Sequence, residues 1–418
     1  MKMVPDPRCG RKTKHELAEV LTCLVLGFLA GRTTIRRSLN WCRSHLEILR
    51  VYMPLENGIA SPPTACRLLA GIDEWMFLYA FMEWVGEIIP TRGRHIVIDR
   101  KALRGSVEKV KGNKASMVLN ALDAETGLVL AQIPIQEKTN EITAIPEILK
   151  LFSLRGSTIT TDSIGTQTEI MLQIREQEGH FVLLVKGNQP QTYEEILKFM
   201  GEARDDYAAQ KKETDTAARP RYPEIMESYG EWSGAENNRD RKEHRHCCVT
   251  NEKGIITKTE TEWPWIETVG LLRQIRIPME RDENGEDITP DVETFLKEGS
   301  RRKPKPQKGD NEKSDIQEVG LISDLKLSAE KVAVIKRKHW SVENKLHHAL
   351  DDTFREDRSP AKKCRNNLAL IRKFAYNILR LAQNAKEGAD VMTEMMDFFC
   401  DDPSLMQKYV FQGIKSQY

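Results

Sequence analysis

None of the eight cysteines falls in a CxxC pair, which leaves out the common zinc and thiol-redox spacings. The nearest thing to a metal cluster is His244, His246, Cys247 and Cys248. Neighbouring side chains on a strand point to opposite faces, so HRHCC makes a poor four-ligand cage. Reduced cytoplasmic thiols are the plainer reading. Charge of one sign is missing as well: 63 Lys and Arg against 62 Asp and Glu leave a net +1. Any surface for a polyanion must therefore come from local segregation of charge. Long apolar runs are absent. VLTCLVLGFLA at 20–30 contains Thr22 and Gly27, follows Glu16 and Glu19, and is too short to span a bilayer. The opening MKMVPDPRCGRKTKHELAE does not have the arrangement of a signal peptide.

What is present is a soluble, globular composition, 40% hydrophobic and 30% charged, over 418 residues. That length holds two or three domains with real cores. Residues 14–90 read as helical, with Leu17, Val20, Leu21, Leu24, Val25 and Phe28 in one stripe and a second helix from Thr34 to about Val51. Ser61-Pro62 is a good helix start. Trp75, Phe77, Tyr79, Phe81 and Trp84 read as core. Arg32, Arg36, Arg37 and Arg43 suit either DNA or a solvated basic face.

From residue 94 the pattern turns to strands: HIVID, then SMVLNALD and GLVLAQIPI joined as a hairpin. A helix around Glu141–Phe152, the strand STITTD, a helix around Gln167–Glu178 and the strand HFVLLVK follow. Three strands, helix, strand, helix, strand is the ribonuclease-H-like order. Residues 204–222 are charged and broken by Pro220, and strand-like runs return at HRHCCVT, TVGLLRQIRI and EVGLISDL. SRRKPKPQK at 300–308 carries five basic residues (Arg301, Arg302, Lys303, Lys305, Lys308) and two prolines, and reads as an extended, mobile arm that tracks phosphates. A helix resumes from about Ser328 through Leu350. Another follows Pro360, with Leu368, Ile371, Phe374, Ile378 and Leu379 inward and Lys362, Lys363, Arg365, Arg372 and Lys373 facing solvent or DNA.

The expected class is thus α/β: a ribonuclease-H-like catalytic core with a β-rich insertion, preceded by a helical N-terminal domain. The boundaries are 1–90 for the helical domain, 91–200 for the first part of the core, 201–325 for the insertion with its arm, 326–390 for the C-terminal helical part of the core, and 391–418 for a tail.

Three acids stand out. Asp99 ends HIVID, Asp162 ends STITTD, and Glu343 lies on the helix KRKHWSVENKLHHALDD. Ligands in open α/β sheets bind beyond the carboxyl ends of strands. Three carboxylates would hold two divalent ions about 4 Å apart, with Asp99 bridging, for phosphoryl transfer on nucleic acid. The alternative is that the aspartates cap loops and Glu343 is solvated. Glu356 is the best competitor for the third ligand, with Asp351 and Asp357 nearby. His339, Glu343 and His347 are spaced by four on one helix face. The histidines would orient Glu343 or contact phosphate; a histidine–glutamate–histidine zinc site would leave both aspartates without a role. Trp340 reads as core. Lys101, Arg104, Lys138, Lys186 and Gln189 follow strand ends, where a DNA backbone would pass, though solvated surface uses the same residue types.

IDRKALRGS, KTNEITAIPE, TTDSIGTQ, LLVKGNQP and HWSVENKLHHALDDTFRED occur in a fixed order. Together they resemble the H-repeat-associated transposases, a branch of the DDE transposases of bacterial insertion sequences, from about Asp6 to about Lys386. The resemblance matches Asp99 to an IDGK-like motif, Asp162 to a DAMGTQ-like motif and Glu343 to a HWxIEN-like motif. Arg100 stands where the family usually has glycine, and Ser163-Ile164 replaces Ala-Met. RDRKEHR at 239–245 keeps the spacing of an HGRxExR-like motif without its leading His-Gly. The wider superfamily's tyrosine, arginine and lysine around the glutamate fall on Lys336, His339 and Leu350.

The resemblance implies a cytoplasmic, nucleoid-associated bacterial transposase using two Mg2+ or Mn2+ ions. It would bind the ends of its element in double-stranded DNA, assemble there as a homodimer, cut and join the freed 3′ ends to target DNA. The rivals are a DNA-binding remnant without catalysis and a metal-dependent DNA nuclease.

Overall fold

The apolar run at 20–30 is part of a core helix, Leu17–Leu29, buried on nearly every side. In the computed structural model the described residues are 1–412, apart from 2, 9–12, 104–115, 136–140, 213–219, 239–240, 281, 285, 287–288, 290, 293–315 and 360. Two units are distinguished: Met1–Thr160 with Gln173–Gly179 and Lys338–Tyr418, and Thr161–Leu172 with His180–Arg337. No helix among the described residues is long and apolar enough to cross a membrane.

In the first unit a Cβ on Gly27 would meet the Ser38 Cβ at 2.2 Å, so glycine is what lets the helix Ile35–Ser44 lie against Leu17–Leu29. That second helix is capped by Thr34, whose side chain accepts from Arg37 N. It breaks at His45, and a short helix Leu46–Leu49 continues towards Val51. The Trp41 carbonyl accepts from Ser44 Oγ at 2.8 Å and lies 2.8 Å from His45 Nδ1, so side chains compete for the last turn. Helices Pro62–Gly71 and Glu74–Gly86 follow, capped by Ser61 and Asp73. Phe77 and Phe81 are core, whereas Trp75 and Tyr79 are exposed. The sheet runs β3-β2-β1-β4, with β1 His95–Leu103, β2 Ser116–Asp123, β3 Val129–Ile135 and β4 Thr158–Thr161. Strand β3 is the edge, and Asn377 of the helix Arg365–Asn384 answers it: its amide accepts from Val129 N at 2.9 Å and donates to Val129 O at 2.8 Å. That helix is buried almost throughout, including Arg372 and Lys373. Residues expected as a tail instead form helices Met392–Asp401 and Pro403–Met406 and a π-helical turn Gln407–Phe411.

The second unit has strands β5 His180–Val185, β6 Gly230–Asn238, β7 Arg241–Thr250, β8 Thr268–Pro278 and β9 Ile316–Ser323, in order β5-β9-β8-β7-β6 with antiparallel neighbours throughout. The charged stretch after 204 belongs to a long helix, Pro190–Lys212, whose Ile196, Met200 and Ala203 are buried at helical spacing. Strand β6 has few β-forming residues and is held by unbroken register from Gly230↔Val249 to Asn238↔Arg241. Cys247 and Cys248 are both buried, and burial raises both thiols, Cys248 to about 11. The whole is a mixed α/β fold with nine strands among the described residues.

Candidate active site

Asp99 is the fifth residue of nine in β1, not the last. The apolar run ends there, but pairing with β2 continues to Leu103↔Ser116, and Lys101 and Leu103 are buried on the same side. Its Oδ1 accepts from Arg100 N at 2.9 Å, and its Oδ2 lies 3.6 Å from His347 Nε2. Alternation sends Arg100 to the other face, where its Nε lies 3.3 Å from Glu141 Oε2. The arginine that replaces the family's glycine therefore does not crowd the acid.

Cross-strand register places Asn120 opposite Asp99, and Gln132 opposite Asn120. Gln132 Oε1 accepts from Lys373 Nζ. Asn120 is fully buried, and neither end of its amide has a hydrogen-bond partner. A buried amide left unsatisfied is a sign of an absent water or ion.

Lys101 was expected to meet phosphate. It is buried instead, with its ammonium bonded to Asp351 and lying 3.7 Å from Glu356 and 3.8 Å from Asp357. Glu356 lies 3.8 Å from Arg372 on its other oxygen. The competitor for the third acid is thus enclosed between two cations. Lys101 also ties β1, two residues past Asp99, to the segment that follows Glu343.

The helix Ala329–Val342 passes into π-helical winding at Glu343–His347 and again at Ala349–Thr353. Such winding is frequent at functional sites. Tyr376 Oη reaches the Lys345 carbonyl at 3.2 Å, supporting the rewound turn. The side chain of Glu343 lies outside the described residues. His339 and His347 part company: His347 faces Asp99, while His339 is buried with Nδ1 3.0 Å from Thr160 Oγ1. The same hydroxyl lies 3.0 Å from His95 Nε2, so it links the two rings. Thr160 is two residues before Asp162. Asp162 follows β4 directly, and its carboxylate does not cap the short turn Ser163–Gly165. Among the described residues no three His, Cys, Asp or Glu side chains form a group that could hold a metal.

Lys186 is exposed just after β5. Gln189 is half-buried, donating to Thr166 O at 2.9 Å and accepting from Lys258 Nζ at 2.9 Å. Arg104, Lys138, Arg301, Arg302, Lys303, Lys305 and Lys308 lie outside the described residues. Sequence reasoning missed Asn120, Thr160, His95 and Tyr376. A polar residue inside SMVLNALD was the available signal for Asn120; nothing in the sequence marked the others.

A family model described as "Transposase DDE domain" matches residues 90–378, and a second, described as "DDE_Tnp_1-associated", matches 1–85. The match defines a DDE-type DNA-processing enzyme. The chain belongs to the DDE transposase family. It is 28% identical over 392 residues to "Putative transposase YncI" of Escherichia coli O157:H7, covering 92% of this chain and 87% of that one. It is also 28% identical over 397 residues to "H repeat-associated putative transposase YhhI" of Escherichia coli K12, covering 92% and 90%. A piggyBac transposase synaptic complex with hairpin DNA aligns at 13% identity and TM-score 0.38, covering 95% of this chain and 74% of that one.

Proposed function

We propose that this chain binds the ends of its own insertion sequence in double-stranded DNA, cleaves there and joins the freed 3′ ends to target DNA, on a ribonuclease-H-like core. The supporting observation is the pairing of Asp99 with His347, four residues beyond Glu343 on the rewound helix, which brings the strand of one acid to the helix segment of another. Asp99, Asp162 and Glu343 are the proposed ligands of two Mg2+ or Mn2+ ions. The donor chemistry fits: carboxylate oxygens suit hard cations, and the unsatisfied Asn120 amide beside Asp99 suits a coordinated water. Bound there, the ions would activate the attacking oxygen and neutralise the leaving one. The chain's own work is placement. His347 holds Asp99 on one side, Lys101 anchors β1 beneath it, and the Thr160 hydroxyl joins His95 and His339 just before Asp162. Assembly as a homodimer on DNA and a cytoplasmic, nucleoid-associated location belong to the same proposal.

Asp99→Asn, Asp162→Asn and Glu343→Gln each keep shape and remove a charged ligand. Each should abolish cleavage of element-end DNA while end binding and thermal melting stay close to the parent. Glu356→Gln should retain cleavage in proportion to its folded fraction. Cleavage by Glu343→Gln, with loss in a folded Glu356→Gln, would overturn the assignment of the third acid.

A further inference from the structure

On one face of the second unit's sheet, Ser233, His246, Arg273 and Glu318 form one cross-strand rung across β6, β7, β8 and β9. Ala235, His244 and Ile275 form the next. Arg204, from the helix Pro190–Lys212, approaches the first rung. A groove of about 490 Å³ opens here, and among the described residues its lining includes Arg204, His244, Arg245, His246 and Arg273 and no carboxylate. Arg245 is committed to the wall, donating to Glu236 at 2.9 Å and to Glu243 at 2.8 Å. Arg204 and Arg273 are not. They share one carboxylate, Glu318, at 3.6 and 3.5 Å, neither within a hydrogen bond. Arg204 otherwise reaches Asp205 at 3.3 Å. Arg273 Nε is buried and makes no hydrogen bond.

The two guanidiniums meet over Glu318 in a groove whose lining has no carboxylate among the described residues, and each keeps a buried N–H without a hydrogen bond, Nη1 of Arg204 and Nε of Arg273. That is the chemistry of a phosphate-oxygen site. His246 is already answered by Glu231 at 3.4 Å, and burial lowers its proton affinity and that of His244, so the arginines carry the charge. We infer that this groove is a DNA contact additional to the three acids, in which Arg204 and Arg273 hold backbone phosphates of duplex DNA. The inference rests on the transposase reading above.

The test uses full-length protein in calcium, with fluorescent duplexes of element-end and random sequence titrated with salt. Each phosphate contact contributes roughly 0.9 to the slope of log affinity against log salt. The double variant Arg204→Gln/Arg273→Gln should lower that slope by about 2 and weaken both duplexes at least about tenfold. Ala235→Glu, at an exposed position in the lining, removes no ion pair and should weaken both duplexes with unchanged melting temperature. Parent-like slopes and affinities in folded Ala235→Glu and in the double variant would overturn the groove. So would variants that lose binding of inorganic phosphate while keeping the duplex slope. Failure of the parent protein to bind either duplex would instead remove the transposase reading itself.

Discussion

Asp99, Lys101 and Leu103 leave β1 on one face, yet they meet three different environments within about two strand repeats. Leu103 packs against Val118 and Ala369, Lys101 is sealed among carboxylates, and Asp99 keeps an edge towards His347. A buried ammonium is tolerable because three carboxylates lie within 4 Å of it, and they in turn depend on it. Lys101→Met should therefore cost about 3–5 kcal/mol, the range for breaking a buried pair and leaving charge uncompensated. Denaturant melts would measure it. A loss below about 1 kcal/mol, accompanied by a flatter salt dependence of DNA binding, would return Lys101 to the phosphate-contacting role its sequence position suggested. The same reasoning separates Glu356 from the three proposed acids. A carboxylate enclosed by Lys101 and Arg372 has little room for an ion and its waters.

The helix Arg365–Asn384 carries this logic through a whole element. Its apolar stripe was legible in the sequence, since Leu368, Ile371, Phe374, Ile378 and Leu379 are all buried. Its cations were not: Arg372 and Lys373 read as surface and lie in the core, answered by Glu356 and Gln132. Partners distant in sequence decide such cases, and no local pattern encodes them. Burial lowers the Lys373 ammonium to about 8 from an ordinary value near 10.5. Between those values the unfolded chain binds more protons than the folded one, so stability should rise with pH across that interval. The rise should be roughly 3 kcal/mol, and Lys373→Met should lack it. Identical pH profiles for parent and variant between pH 8 and 10 would refute the buried charge. Elsewhere, legibility followed the strength of local signals. The helix starts at Thr34 and Ser61 and the strand runs were readable because the residues themselves terminate or alternate. The end of β1 was misread because the apolar run stops at Asp99 while the hydrogen-bonded ladder does not. The π-helical turn at Glu343 has no sequence signature, and β6 exists through its partner's register rather than its own propensity.

For the molecule as a whole, a net charge of +1 means that a polyanion is met by patches, not by an overall field. Carboxylates gather around Lys101, and arginines gather on one face of the sheet of the second unit. On the proposed reading, binding and cutting have separate requirements: phosphate contacts by arginine need no metal, whereas cleavage by the three acids would. Full-length protein should therefore hold element-end DNA in calcium, with cleavage appearing when magnesium or manganese replaces it and stopping with a chelator. Calcium occupies oxygen-rich sites, but its larger and looser coordination misplaces the attacking oxygen and the phosphate. The measurement is a gel assay of end cleavage beside anisotropy of the same duplex, across the three ions and after exhaustive metal removal. Cleavage undiminished in metal-free protein would end the two-ion account. Loss of binding together with loss of metal would show that the ions, rather than the arginines, carry the DNA.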